Sequence, residues 1–260
     1  MTNMKRMKIS LVLPAHNEEG NIEKLTKQIL KLCDKDVFEV IIVDDRSTDN
    51  TGKIAERLAK KYKKIKVIHR EITSYNKNRV QVGFAIREGY KAAKGDQVMS
   101  IDSDFAMAPA DVKRVIEKFK KGNCDMVIGS RFVKQSKLIK YPFDKWLANR
   151  AFHFVFRFLL GIKTKDLSNN FRIMKKEIAK KIEWKSEGFS ILAEIGIMAS
   201  IMNYKICEVP VIWKQRSFGK SKFKVLKIAP SYVKVALRAF YIKYFVRKSK
   251  ELNRLKNLIK

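Results

Sequence analysis

Cysteine is scarce in this 260-residue chain, which has only Cys33, Cys124 and Cys207. They are odd in number and form no C-x-x-C pair. The sequence therefore predicts neither a disulfide framework nor a zinc site, and a reducing compartment fits. Five prolines and eleven glycines are too few for a collagen-like or low-complexity chain. No segment repeats at a fixed period. No run of ~18 uncharged apolar residues is present, so no transmembrane helix is expected. The opening MTNMKRMKIS lacks the apolar centre of a signal peptide, so the expected location is cytoplasmic. Acidic residues are also few: 26 Asp and Glu stand against 57 Lys and Arg, for a net charge of +31. That charge predicts an anionic partner: nucleic acid, an acidic membrane surface or a phosphorylated substrate. Apolar residues, at 46%, are plentiful enough for a sizeable core and exclude wholesale disorder.

Short apolar runs alternate with segments of helical periodicity. Ile9 to Leu13, Val40 to Val43, Ile65 to Ile68, Val98 to Ile101 and Met126 to Ile128 read as strands. Helices are predicted near 19–32, 50–62, 79–93 and after Pro109. Ser47, Thr48 and Asp49 offer N-caps for the second of them. Strand–helix alternation from the start predicts an α/β fold, with a mostly parallel sheet flanked by helices. In such sheets ligands bind beyond the carboxyl ends of the strands. Glu18, Asp45, Asp102 and Asp104 all fall at those ends.

After residue 131 the pattern changes. Residues 143–161 are aromatic and basic; alternating Phe152, Phe154, Phe156 and Phe158 suit a strand, whereas the length and the ending at Gly161 suit a helix. Residues 188–202 read as a helix and Ile206 to Ile212 as a strand interrupted by Pro210. Residues 225–246 read as an amphipathic helix or helix pair, with Lys227, Lys234 and Arg238 on one face.

Asp102 and Asp104 carry the chemistry most directly. Two positions apart in an extended segment, their side chains share a face. Such a pair, with phosphate oxygens and water, suits Mg²⁺ or Mn²⁺, and the cation neutralises charge on a leaving diphosphate. The plain alternative is a pair of turn aspartates capping the helix after Pro109.

The other strand ends carry PAHNEEGNI, VDDRSTDNT and GSRF. Together with D-x-D these resemble the family-2 glycosyltransferases of the GT-A (Rossmann-like) fold, in particular the dolichol-phosphate mannosyltransferase and polyprenyl-phosphate glycosyltransferase branch. The resemblance runs from about Ile9 to Lys222. It implies that Pro14, His16 and Glu18 lie along the nucleotide, that Val43 and Asp45 contact the base, and that Asp102 and Asp104 hold the metal. It implies a phosphate or acceptor contact for Arg131. RSFGKSK resembles a segment that would bring Arg216 and Lys222 to phosphates. Asp166 and Glu194 match acidic positions of the family, and Phe171-Arg172 matches its F-R pair. Three positions depart from the pattern: Ala106 where the branch often has a metal-binding Gln, Asn169-Asn170 where it has Ser-Gly, and Gln81 where it has Gly.

The resemblance implies an inverting, metal-dependent transfer from a nucleotide sugar such as GDP-mannose or a UDP-hexose. Stabilising the departing nucleoside diphosphate is the main catalytic demand. A polyprenyl phosphate acceptor is already anionic and needs no strong base. A glycan or protein hydroxyl would need one, and Asp166 or Glu194 are the candidates. His16, His69 and His153 are assigned no catalytic part. Residues 1–222 are expected to form the catalytic domain, with 1–131 the nucleotide-sugar half and 132–222 the acceptor half. Residues 223–260 are expected to be a basic amphipathic helical tail. That tail and 143–161 are expected to lie against an anionic membrane surface on its cytoplasmic face. A basic nucleic-acid-binding protein is the alternative from another class, but no helix-turn-helix, zinc finger or RNA-recognition signature is present and no specific nucleic-acid partner is expected.

Overall fold

The computed structural model describes residues 7–71, 81–216 and 225–246. A seven-stranded sheet forms the centre, in the order β3-β2-β1-β4-β7-β5-β8. Its first strands are β1 (Ile9–Ala15), β2 (Val37–Asp44), β3 (Ile65–His69) and β4 (Gln97–Ser100), which pair in parallel. The helices between them are α1 (Ile22–Cys33), α2 (Thr51–Lys61) and α3 (Val82–Ala92). After β4 come α4 (Ala110–Lys120) and β5 (Met126–Ser130). The strand order runs outward in opposite directions from β1 and β4, so their carboxyl ends flank a topological switch point.

The sheet buries both faces. Ile9, Leu11 and Leu13 point to the layer of α1, α2 and α4; Val12, Ile41 and Val43 point to the opposite layer with α3. Continuous apolar strands follow from this two-sided burial. Gly89 lets α3 approach: a Cβ there would stand 2.3 Å from Val12 Cγ1 and 3.2 Å from Val43 Cγ2.

The second half adds β6 (Lys137–Ile139), α5 (Phe143–Leu160), β7 (Arg172–Lys175), α6 (Lys176–Lys181) and α7 (Ser190–Ile201). Then follow β8 (Ile206–Pro210), β9 (Ile212–Lys214), α8 (Val225–Tyr241) and a π-helical turn, Ile242–Val246. β7 enters antiparallel between β4 and β5, which makes the sheet mixed, and β6 pairs with β9 in a small second sheet. The ambiguous aromatic segment is helical. His153, Phe156 and Leu160 face inward at helical spacing, and Gly161 ends the helix at φ 61°.

One expectation is overturned. Cys124 and Cys207 form a disulfide. They lie 83 positions apart, with no spacing motif to betray them, and the pairing of β5 with β8 brings them together. The cysteine argument for a reducing compartment falls with it. Cys33 is free and buried, which pushes its thiol up to about 11. Among the described residues no helix is long and apolar enough to cross a membrane.

Candidate functional site

The loops that leave β1 and β2 are sewn together. The Asp45 amide donates to the Ala15 carbonyl at 2.7 Å, and His16 Nδ1 donates to the Asp45 carbonyl at 2.8 Å. The Glu18 amide donates to Thr51 Oγ1 at 2.7 Å, and Glu19 accepts from the Asn50 amide at 3.0 Å. α2 starts at Thr51 without a capping side chain on its N-cap residue; Asp49 instead accepts from the Thr51 amide and hydroxyl. Asn17, Arg46 and Phe105 all have left-handed backbones, one in each loop that leaves β1, β2 and β4. Non-glycine residues in this region concentrate at functional sites. The β4 loop joins the same assembly, because Ser103 Oγ donates to the Pro14 carbonyl at 3.0 Å.

Asp102 and Asp104 stand just past β4. Asp102 Oδ1 accepts from Asn170 Nδ2 at 2.8 Å. Burial, then the neighbouring charge of Asp104, push the Asp102 carboxyl up to about 6. Asp104 Oδ1 accepts from the Ala106 amide at 2.9 Å, and its Oδ2 lies 3.1 Å from Arg216 Nη2. Arg216 follows two residues after β9, which is fixed by a bridge between Met107 and Trp213 and by the Lys214 amide donating to the Ala106 carbonyl. Glu18 belongs to the same electrostatic group. Burial raises its carboxyl most; Asp104 and Asp102 add to this, and Arg216 works against it.

Arg131 and Asp166 form a buried pair beside them. Asp166 is fully buried and accepts from the Arg131 amide at 2.9 Å, from Nε at 2.8 Å and from Nη2 at 2.7 Å. Burial opposes both charges, but the partners' attraction wins: Asp166 is held below the ordinary carboxylate range and Arg131 above its own. Arg150 lies over the Phe132 ring, 3.7 Å from its centroid, in the same wall. His153 fastens α5 to this loop. Its Nε2 accepts from the Leu167 amide at 2.8 Å, and its Nδ1 donates to the Asn149 carbonyl at 2.8 Å. Burial draws it down to about 4, so it is a neutral brace.

The sequence-predicted residues thus divide. Pro14, His16, Glu18, Asp45, Asp102, Asp104 and Arg216 share the switch-point loops. Val43 does not present its side chain there, because it is buried in the layer under α3. Asp45 is nearly inaccessible, and its Oδ1 accepts from Arg70 Nε at 2.5 Å. Burial still leaves its carboxyl raised. Glu194 is clasped elsewhere: it accepts from the Ser186 amide at 2.9 Å and pairs with Arg238. It shares none of these partners with Asp102, Asp104 or Arg131. That pairing corrects the face assigned to Arg238, which turns inward while Lys227 and Lys234 are exposed. Lys222 lies outside the described residues. Sequence reasoning missed Arg70, which carries no motif signal, and the support that Asn170 gives to Asp102.

The donor set suits a hard divalent cation. Among the described residues no three carboxylate, His or Cys side chains converge as a cage. A carboxylate pair with an unfavourable shared charge, with Arg216 beside it, is the kind of donor set that Mg²⁺ or Mn²⁺ would complete with phosphate oxygens.

The family profile described as Glycosyl transferase family 2 matches residues 10–183. A dolichol-phosphate mannosyltransferase of Pyrococcus furiosus is 34% identical over 221 residues, 84% of this chain and 60% of that protein. A polyprenol monophosphomannose synthase of Mycolicibacterium smegmatis is 26% identical, covering 87% of this chain and 84% of its own length. Among solved structures, glucosyl-3-phosphoglycerate synthase from Mycobacterium tuberculosis, in complex with Mn²⁺ and UDP-glucose, superposes with a TM-score of 0.70 at 20% identity, over 90% of this chain and 79% of that one. The chain spans less than two thirds of the Pyrococcus protein, and the structural likeness bears on fold alone.

Proposed function

The chain belongs to glycosyl transferase family 2, and from that premise we propose that it moves a sugar from a nucleotide sugar to a polyprenyl phosphate. The observation that carries the choice of acceptor is the state of Asp166 and Glu194. A hydroxyl acceptor needs a base within reach of its proton. Both carboxylates named for that task are held by arginines, Asp166 by Arg131 and Glu194 by Arg238. A phosphate acceptor is anionic without help. The names of the Pyrococcus and Mycolicibacterium relatives point the same way.

Each residue then has a task. Pro14, His16, Glu18 and Asp45 shape the nucleotide cleft, with Asp45 set by Arg70. Asp102 and Asp104 hold the divalent cation, which when bound supplies positive charge to the departing diphosphate. Arg216, already against Asp104, adds charge on the same side, and Lys222, outside the described residues, is assigned to the donor phosphates on its motif alone. Arg131, fixed by Asp166, presents positive charge toward the acceptor. Glu194 anchors α7 to α8. Residues 1–131 serve mainly the nucleotide and 132–222 mainly the acceptor, with Arg131 and Arg216 working across that division.

The lipid acceptor calls for a membrane-facing surface, and α5 with α8 supplies one. Phe154 is 71% exposed, Phe158 81% and Leu237 66%. The two helices touch through Phe152 and Tyr232, whose ring centroids are 5.2 Å apart. Exposed Arg157, Lys227 and Lys234 accompany them. Apolar side chains entering the acyl boundary, with basic groups at anionic headgroups, give reversible attachment.

The test is a transfer assay with purified protein, Mn²⁺ or Mg²⁺, a polyprenyl phosphate and a panel of GDP- and UDP-sugars, read by mass spectrometry after organic extraction. A glycosyl-phosphoryl-polyprenol, lost in Asp104→Ala, is expected. Metal-dependent release of nucleoside diphosphate without any lipid product would overturn the acceptor. Flotation with anionic liposomes tests the surface, and binding that is absent or indifferent to salt would refute it.

A further inference from the structure

Asn170 lies in the loop before β7 and is 1% exposed. Its carboxamide is spanned by two partners. Ser100 Oγ, at the end of β4, donates to the Asn170 carbonyl at 2.8 Å and to Oδ1 at 2.9 Å. Asn170 Nδ2 donates to Asp102 Oδ1 at 2.8 Å. The hydroxyl of Tyr90, on α3, lies 2.6 Å from Ser100 Oγ. Ser100 has one proton and directs it to Asn170, so Tyr90 is the donor to Ser100. The bonds therefore run one way, from Tyr90 to Ser100 to Asn170 to Asp102. Bonds aligned in series polarise one another and strengthen the last.

The orientation of the amide follows. Reversed, Asn170 would set its oxygen against an Asp102 oxygen with no proton between them. The loop itself cannot swing. Arg172, wholly buried, donates through Nε to the Asn169 carbonyl at 2.9 Å and through Nη2 to the Leu167 carbonyl at 3.0 Å.

We propose that Asn170 is a positioning residue for the cation site, gripping one oxygen of Asp102 so that the other is left, fixed in place, for the cation. Tyr90 and Ser100 reach the site only through it. The inference rests on the reading of Asp102 and Asp104 as cation ligands. Partners behind a metal ligand typically matter by about 10–100-fold in metal affinity.

The experiment measures Mn²⁺ affinity directly, from the loss of the free-ion electron paramagnetic resonance signal, with and without UDP or GDP. Asn170→Ala is expected to weaken Mn²⁺ binding by roughly 10–100-fold, with an altered bound-Mn²⁺ line shape. Nucleotide affinity in EDTA is expected to stay as in the unaltered protein. Tyr90→Phe removes only the far donor and is expected to weaken binding in the same direction by less; it also keeps the proposal testable if Asn170→Ala fails to fold. A merely structural role would lower the melting temperature and leave Mn²⁺ affinity alone. Affinity and line shape unchanged in both variants would overturn the proposal. Absence of Mn²⁺ binding by the unaltered protein, with either nucleotide present, would instead overturn the cation reading beneath it.

Discussion

Asp166→Asn tests the logic of the buried pair most severely. Asp166 is fully buried, and the Arg131 side chain is 14% exposed. Three donors of Arg131 converge on one carboxylate. The substitution keeps shape and volume but removes the charge, and it turns an NH₂ group toward a guanidinium that can only donate. Breaking one half of a buried ion pair costs about 3–5 kcal/mol, because the surviving charge stays desolvated. At ~2–4 °C per kcal/mol for a domain of this size, that is a fall in Tm of roughly 6–20 °C. Urea unfolding at neutral pH measures it. Arg131→Met in the same chain removes the stranded charge, so the double variant is expected to regain most of the stability while transfer stays lost. The pH dependence supplies a second check. Asp166 is held below the ordinary carboxylate range, so its contribution is present above that range and fades as acid protonates it in the fold. The two proteins should therefore converge in strong acid. A loss under about 1 kcal/mol at neutral pH, or a double variant as weak as the single, would refute the reasoning.

Replacing Cys124 and Cys207 together by Ser should lower stability by about 2–5 kcal/mol in urea unfolding without reductant; equal curves would mean that the bond contributes nothing. Because Asp102 is pushed up to about 6, protons compete with the cation there, so Mn²⁺ affinity should rise about tenfold per pH unit below that value and level off above it. The contribution of Asp102 to metal-free stability, read as the difference from Asp102→Asn, should move oppositely, falling as pH rises to about 6, since the folded carboxyl holds its proton more tightly than the unfolded one; a flat affinity profile would refute the assignment.

The parallel half of the fold was legible because its strands are uninterrupted apolar runs and its loops carry the carboxylates. β7 was not, since it is four residues long and opens with Arg172; a buried arginine in a sheet does not look like a strand until the carbonyls of Leu167 and Asn169 are seen to accept its protons. The aromatic segment misled in part through alternating phenylalanines. Helical spacing of His153, Phe156 and Leu160 decided it, and Phe154 and Phe158 remain outside as an exposed face. At the site, Asp45, Asp102, Asp104 and Arg216 could be picked out because motifs surround them. Arg70, Asn170 and the disulfide could not, because each acts across a long sequence separation with no spacing rule. Val43 shows what a motif hides: Asp45 reaches the loop, while strand alternation turns the Val43 side chain into the core and leaves only its backbone to serve a ligand.

What separates these carboxylates is the company each one keeps. Asp45, Asp166 and Glu194 each have a nearby arginine from a remote segment, respectively Arg70, Arg131 and Arg238. Those pairs tie β2 to the segment after β3, β5 to the loop before β7, and α7 to α8. Such carboxylates are structural struts, whatever they border. Asp102 and Asp104 instead crowd one another: Arg216 meets Asp104 Oδ2 at 3.1 Å, and Arg131 and Arg216 both pull on Asp102 without outweighing burial and the neighbouring charge. Half-buried like charges at such range are unfavourable, and the nearby guanidinium groups offset that only in part. Arg216, with its side chain 25% exposed, is the more open half of its pair with Asp104. On the reading of Asp104 as a cation ligand, a bound divalent cation and Arg216 would both be drawn to this carboxylate, and the two positive charges would stand on the side of the departing diphosphate.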